Sequence, residues 1–179
     1  MIVDEIFPDV YIIKNKIHKD DRGTFQETYN RDIFKSNGFE DDFIQDNLSF
    51  SKKRGTIRGL HFQKGEFAQS KLIYVLKGKI LDVFVDIRKT SNNFGKYFSI
   101  EISSEDSFLY IPRGFAHGFC TLEDETSVLY KVDNLYNKDH ESGLNWKDPN
   151  LKIKWPSFQQ YYLSEKDKSL PFFEALNKD

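Results

Sequence analysis

Between Lys71 and Arg88 the chain settles into a period of two. Leu72-Ile73-Tyr74-Val75-Leu76 runs into Lys77-Gly78-Lys79. Beyond that turn Leu81, Val83, Val85 and Ile87 alternate with Asp82, Phe84, Asp86 and Arg88. Successive residues of a strand face opposite sides, so this alternation demands β structure. Two strands joined by a Gly turn read as a hairpin. Further short strands follow at Tyr97–Ile102, Phe108–Ile111, Gly118–Leu122 and Ser127–Val132. Many short strands with turn signals between them indicate a sandwich, jelly roll or barrel.

The N-terminal part is mixed. Residues 9–18 read as one short strand, Asp20-Asp21-Arg22-Gly23 as a turn, and Thr24–Tyr29 as a strand. Asn30 then caps a short helix, Arg31–Asn37, stopped by Gly38. Phe43–Phe50 is strand-like, yet it carries Gln45, Asp46 and Asn47 in a row, and buried polar groups need partners. After Asp133 the pattern loosens. Trp146, Trp155 and Phe158 suit a C-terminal segment laid over the barrel, and Ser164-Glu165-Lys166-Asp167 opens a last helical turn.

With 179 residues, no repeat and no linker, a single domain over residues 1–179 is expected. A chain of this size buries about 70% of its extended surface and can hold a core unaided. Lys+Arg number 26 against 28 Asp+Glu, so no basic field attracts nucleic acid, and phosphate binding would have to rest on a few placed cations. Cys120 is the lone cysteine, which fits a reducing compartment. The N-terminal MIVDEIFPDV has no basic region or long apolar run, and no stretch reaches the roughly 18 apolar residues of a membrane span. The expectation is a cytoplasmic protein that binds neither membrane nor nucleic acid.

Chemistry concentrates around Arg58-Gly59-Leu60-His61-Phe62-Gln63. Alternation puts His61 and Gln63 on one face and Arg58 on the other, unless a bulge at Gly59 brings Arg58 round. Of four histidines, His18 and His140 lie in charged sequence and are given no role. His61 and His117 lie in apolar β-rich sequence, the latter within Pro112-Arg113-Gly114-Phe115-Ala116-His117. A lone histidine is more often a satisfied core residue, but two on strands of one small barrel suggest a metal site or an acid–base site. Metal-binding jelly rolls of the cupin type pair two histidines one residue apart, and here Gln63 takes the second place. Two histidines fall short of the usual three protein ligands, even though Asp82 could lend a carboxylate. Acid–base chemistry is therefore favoured. Lys71 and Arg58 are nearby cations, Tyr130 lies on a late strand, and Asp167 could orient an imidazole. Asp167 also reads as the end of a capping box begun by Ser164.

Taken in order, these segments resemble the dTDP-4-dehydrorhamnose 3,5-epimerase family, from about Ile6 to about Pro171. The pieces include Asp21-Arg22-Gly23, Gln45-Asp46-Asn47, Arg58 to Gln63, Gln69-Ser70-Lys71-Leu72, Asp82 to Arg88, Pro112 to Phe119, Leu129-Tyr130-Lys131, Trp146-Lys147-Asp148-Pro149 and Leu163 to Asp167. The resemblance implies an all-β, cupin-like double-stranded β-helix, or jelly roll, with a few short peripheral helices. It implies an isomerase of L-rhamnose biosynthesis that inverts C3 and C5 of a dTDP-4-keto-6-deoxy sugar, giving dTDP-4-dehydro-L-rhamnose. The C4 ketone acidifies the neighbouring hydrogens, so no cofactor and no metal are expected. By the same resemblance His61 is the base, Asp167 its paired carboxylate, Tyr130 the acid on the other face, and Lys71 a cation beside the enolate oxygen. Arg22, Phe25, Glu27, Gln45, Asn47, Arg58, His117, Tyr136, Glu141 and Lys166 would bind the nucleotide-sugar. The family's homodimers exchange N-terminal strands, which leaves open the subunit that supplies Phe25 and its neighbours. Leu135 stands where members often carry an aromatic that holds the base. A single-carbon epimerase is the near alternative, and a non-catalytic sugar-binding jelly roll is the alternative from another class.

Overall fold

The computed structural model describes residues 1–104 and 107–177. Its strands are β1 (Ile2–Phe7), β2 (Val10–Lys14), β3 (Ile17–Asp20), β4 (Gly23–Gln26), β5 (Gln45–Ser51), β6 (Ile57–Gln63), β7 (Lys71–Lys77), β8 (Lys79–Asp86), β9 (Tyr97–Ser103), β10 (Phe108–Ile111), β11 (Phe115–Thr121), β12 (Thr126–Val132) and β13 (Glu141–Gly143). Two short helices, α1 (Arg31–Ser36) and α2 (Glu165–Lys168), and three 3₁₀ turns complete the described chain. One sheet runs β1-β2-β10-β7-β12-β5, the second β13-β6-β11-β8-β9, and β3-β4 stand apart as a two-stranded arm. Among the described residues the named strands pair antiparallel, with one isolated parallel bridge between Thr56 and Tyr162, and the fold is a cupin-like jelly roll.

The expected hairpin at Lys77-Gly78-Lys79 is not one. β7 lies between β10 and β12, and β8 between β9 and β11, so the two strands belong to different sheets. Gly78, at φ +83°, lets the chain turn a corner from one sheet to the other where a side chain would collide with Thr126. Local alternation is the same for a hairpin and for an inter-sheet corner. Residues 9–18 likewise divide between β2 and β3, and Ile2–Phe7 forms a strand against β2 that the sequence reading passed over. The strand expected at Thr24–Tyr29 is confined to Gly23–Gln26, where β3 supplies a partner. Asn30 does cap α1, its side chain accepting the N–H groups of Asp32 and Ile33.

Both faces of the second sheet are buried, which explains the long apolar run of β8. Ile80 and Phe84 point into the space between the sheets, with Ile73, Val75, Leu109, Phe115 and Val128. Leu81, Val83 and Val85 face the other way and pack beneath Leu144, Leu151, Ile153 and Trp155. The C-terminal segment is thus a layer over the sheet, and Trp146 and Phe158 close its far end on Ile57 and Cys120. Each large apolar side chain so enclosed contributes about 1.5–3 kcal/mol. The consequence for function is that the β8 face bearing Asp82 and Asp86 is turned inward, and both carboxylates are fully buried.

Candidate active site

At one end of the jelly roll the inter-sheet space opens into a cavity of about 830 Å³. His61, His117, Arg58 and Glu141 reach it from the second sheet, Lys71, Tyr130 and Asn47 from the first, and Tyr136, Lys166 and Asp167 from the segments at its mouth.

A bulge on β6 builds this wall. His61 pairs with His117, but Arg58 pairs with Phe119, so three steps on β6 match two on β11. The odd residue reverses the expected alternation and brings Arg58 into the cavity with His61. Gly59 is at φ +118°, and a Cβ there would lie 2.6 Å from the Gly118 Cα. The Arg58 guanidinium is held by the Ser51 hydroxyl at 3.1 Å and the Phe50 carbonyl at 2.9 Å.

Asp167 reaches His61 across 106 residues, with Oδ1 2.7 Å from Nε2. Its other oxygen accepts the Gly59 N–H at 3.1 Å, so the carboxylate ties the bulge to the imidazole. The capping role is real as well, because the Asp167 N–H donates to the Ser164 hydroxyl at 3.0 Å. Burial pushes the Asp167 carboxyl up, but the hydrogen bonds and the charge of His61 outweigh it and hold the group below its usual range. His61 itself is one-third exposed.

His117 has a carboxylate of its own. Its Nε2 lies 2.9 Å from Asp82 Oδ2. Burial pushes the His117 imidazole down, with Asp82 opposing and Lys71 and His61 reinforcing the shift. Lys71 is buried too and donates to the His61 carbonyl at 3.1 Å. Burial brings its ammonium down to about 8, against the support of Asp82 and Glu141. Burial raises the Tyr130 hydroxyl above its ordinary value, Arg58 opposing and Glu141 adding, so it stays protonated at neutral pH.

At the mouth, Lys166 pairs with Glu141, which also accepts the Tyr136 hydroxyl at 2.8 Å. Burial would raise the Glu141 carboxyl, but those partners and the His61 charge hold it down. Gln45 is a strut beside the cavity. It donates to Asn47 at 2.9 Å and accepts the Tyr136 N–H at 3.2 Å, while Asp46 pairs with Lys131. The three polar residues of β5 thereby find their partners. Gln63 is consumed by the backbone of Phe67, Leu135 and Asn137. Among the described residues no group of three or more His, Cys, Asp or Glu could hold a metal ion.

Arg22, Phe25 and Glu27 are not brought to the cavity of their own chain. They belong to the β3–β4 arm and its continuation, where Arg22 pairs with Asp20 and Phe25 is 72% exposed. The sequence reading missed Asp82 as the partner of His117 and Ser51 as a support of Arg58, and gave no role to Gln69 and Phe119, which line the cavity. An aspartate on an alternating strand gives no local sign of which histidine it will meet.

Moving a proton from one face of a carbon to the other takes a base and an acid on opposite sides of the substrate. This cavity offers an imidazole from one sheet and a phenol from the other, and fold and site together define a cupin-like isomerase. The chain belongs to the dTDP-4-dehydrorhamnose 3,5-epimerase family, whose model matches residues 5–175. It is 46% identical over 162 residues to the dTDP-4-dehydrorhamnose 3,5-epimerase of Shigella flexneri, covering 89% of this chain and 88% of that one. Its fold is similar to that of the Bacillus anthracis epimerase crystallised with TDP and PPi, at a TM-score of 0.91 and 46% identity over 95% of this chain and 97% of the other. It is also similar to the Legionella pneumophila dTDP-6-deoxy-D-glucose-3,5-epimerase in complex with dTDP-4-keto-L-rhamnose, at 0.90 and 37% identity, covering 98% and 92%.

Proposed function

We propose that the protein inverts C3 and C5 of a dTDP-4-dehydro-6-deoxy-hexose and delivers dTDP-4-dehydro-L-rhamnose. The observation that carries this reading is that His61, paired with Asp167 of α2, reaches the cavity from one sheet and Tyr130 from the facing one. With the sugar between them, His61 removes the proton beside the C4 ketone, and the charge passes to the ketone oxygen as an enolate. Lys71 is the fixed cation for that oxygen, where it stabilises charge absent from the ground state. Tyr130 returns a proton to the opposite face, and water restores the phenol and the imidazole. General acid–base groups of this kind are worth about 10²- to 10⁴-fold each.

Arg58, Asn47, His117, Tyr136, Glu141 and Lys166 hold the nucleotide-sugar, with Gln45 bracing Asn47 and Tyr136. Arg22, Phe25 and Glu27 serve the site of a partner subunit in a homodimer, which accounts for an arm whose side chains face solvent in the single chain. The whole chain acts as one jelly-roll domain. No helix among the described residues is long and apolar enough to cross a membrane. Burial pushes the Cys120 thiol up to about 12, and a thiol left unpaired suits the cytoplasm.

Proton NMR of the dTDP-4-keto sugar with the protein in D2O tests the reading. Solvent deuterium should appear at both C3 and C5 as the inverted product forms. Exchange at one carbon only would make the protein a single-carbon epimerase, and exchange at neither would overturn the proposal.

A further inference from the structure

Asp82 is the most deeply buried acid near the cavity, and the reaction as described does not use it. Its side chain is fully enclosed on β8, Oδ2 lies 2.9 Å from His117 Nε2, and Oδ1 is buried with no hydrogen-bond partner. A half-satisfied carboxylate in such a place is costly, and core packing alone gives no reason to keep it. Its surroundings do. A carboxylate only accepts hydrogen bonds, so the contact requires the proton on Nε2. Burial holds His117 neutral, which leaves Nδ1 with a lone pair and no proton. No other hydrogen bond to the ring forms among the described residues, and the ring lines the cavity.

We infer that Asp82 is a positioning residue: it holds His117 in the Nε2-protonated tautomer, so that Nδ1 accepts a hydroxyl of the bound sugar, and it supplies the buried negative charge that keeps the Lys71 ammonium beside the enolate oxygen. Lys71 shares the cavity wall with His117 of β11, His61 of β6, Glu141 of β13 and Tyr130 of β12, and Asp82 of β8 lies behind His117, 2.9 Å from its ring, near enough to favour the Lys71 ammonium. Asp82 and Glu141 are the anions of that set, and Glu141 is already engaged with Lys166 and Tyr136. Asp82 is thus the anion with an oxygen to spare.

The inference rests on the epimerase reading, but half of its test needs no substrate. Nitrogen-15 NMR of the wild-type protein labelled at histidine should show His117 protonated at Nε2 and bare at Nδ1 at neutral pH. A proton on Nδ1 overturns the inference, even in a protein that epimerises normally. The second measurement is the pH profile of kcat/KM for Asp82→Asn, with Asp82→Leu as the second variant. Asparagine keeps the size of the side chain and an oxygen that can accept the Nε2 proton, so Asp82→Asn should fold, whereas leucine leaves that buried donor without a partner. Misplacement on this scale costs about 10²-fold in rate. With the anion gone Lys71 loses its proton more easily, so the alkaline limb should move to lower pH. A purely structural role would lower activity by the same factor at every pH and leave the limb in place, and that result overturns the inference.

Discussion

Two histidines stand side by side on one sheet, His61 directly across from His117, and each has its own aspartate in a different setting. In the first, the imidazole is one-third exposed at the wall of an open cavity, and both carboxylate oxygens are engaged, by His61 and by the Gly59 N–H. In the second, both side chains are buried and one carboxylate oxygen is unpartnered. The same two residue types at nearly the same separation give a group that can trade protons with water and a group that cannot. Solvation makes the difference, because it sets what a change of charge costs at each ring. The pairs also differ in construction. Asp82 meets His117 from an adjacent strand, whereas Asp167 arrives on a four-residue helix from the C-terminal layer. The pair proposed to move protons is thus the one assembled from remote parts of the chain.

Substitution at His61 is expected to have the largest effect. His61→Asn should lower turnover by about 10⁴-fold and abolish deuterium exchange, since asparagine cannot accept the C–H proton. The affinity for dTDP, measured by calorimetry, should be nearly unchanged. Substantial remaining turnover would strip the first pair of its role.

Tyr130→Phe sharpens the assignment from the facing sheet. It should lower formation of inverted product by about 10²- to 10³-fold while some exchange persists, because His61 can still take a proton and return a deuteron to the same face. Proton NMR in D2O separates the two. Wild-type epimerisation in this variant would reduce Tyr130 to a packing residue.

Asp167→Asn comes next, with a loss of about 10²-fold in kcat. It also has a signature in stability. The Asp167 carboxyl is held below its unfolded value of 3.8, so its contribution is present above that pH and is lost as pH falls through the lower folded value. Melting temperatures below about pH 4 should therefore fall less steeply in the variant than in the wild type. Equal slopes would mean that the carboxylate gains nothing from its partners in the fold.

The smallest effect belongs to the second pair. Burial holds His117 below its unfolded value of 6.5, so the unfolded chain binds the proton first, and stability is lost as pH falls below that value. Between pH 7 and pH 5 the wild type should lose melting temperature, and His117→Gln should lose less. The two pairs would then mark separate windows on one stability curve. A variant slope as steep as the wild type would break the contrast.

The alternating residues of β8, the short β10, the cap at Asn30 and the cluster around His61 were legible in the chain, because each depends on neighbours a few residues away. The candidate residues His61, Lys71, His117 and Tyr130 were legible for a related reason: polar side chains in apolar β sequence need a purpose, and the resemblance named one. The chain alone could not say that β7 and β8 part company at Gly78, since a period of two decides which residues share a face but not which sheet receives the strand. Nor could it say that the face of β8 carrying Asp82 turns inward while Leu81, Val83 and Val85 turn toward the C-terminal layer. Arg58 entered the cavity through a bulge that two strands create together, and Arg22, Phe25 and Glu27 lay outside it because their arm pairs only with itself. Local chemistry is written in residue order. The pairing of His61 with Asp167 and of His117 with Asp82 is a property of the closed fold, where burial and long-range strand registry decide which carboxylate meets which ring.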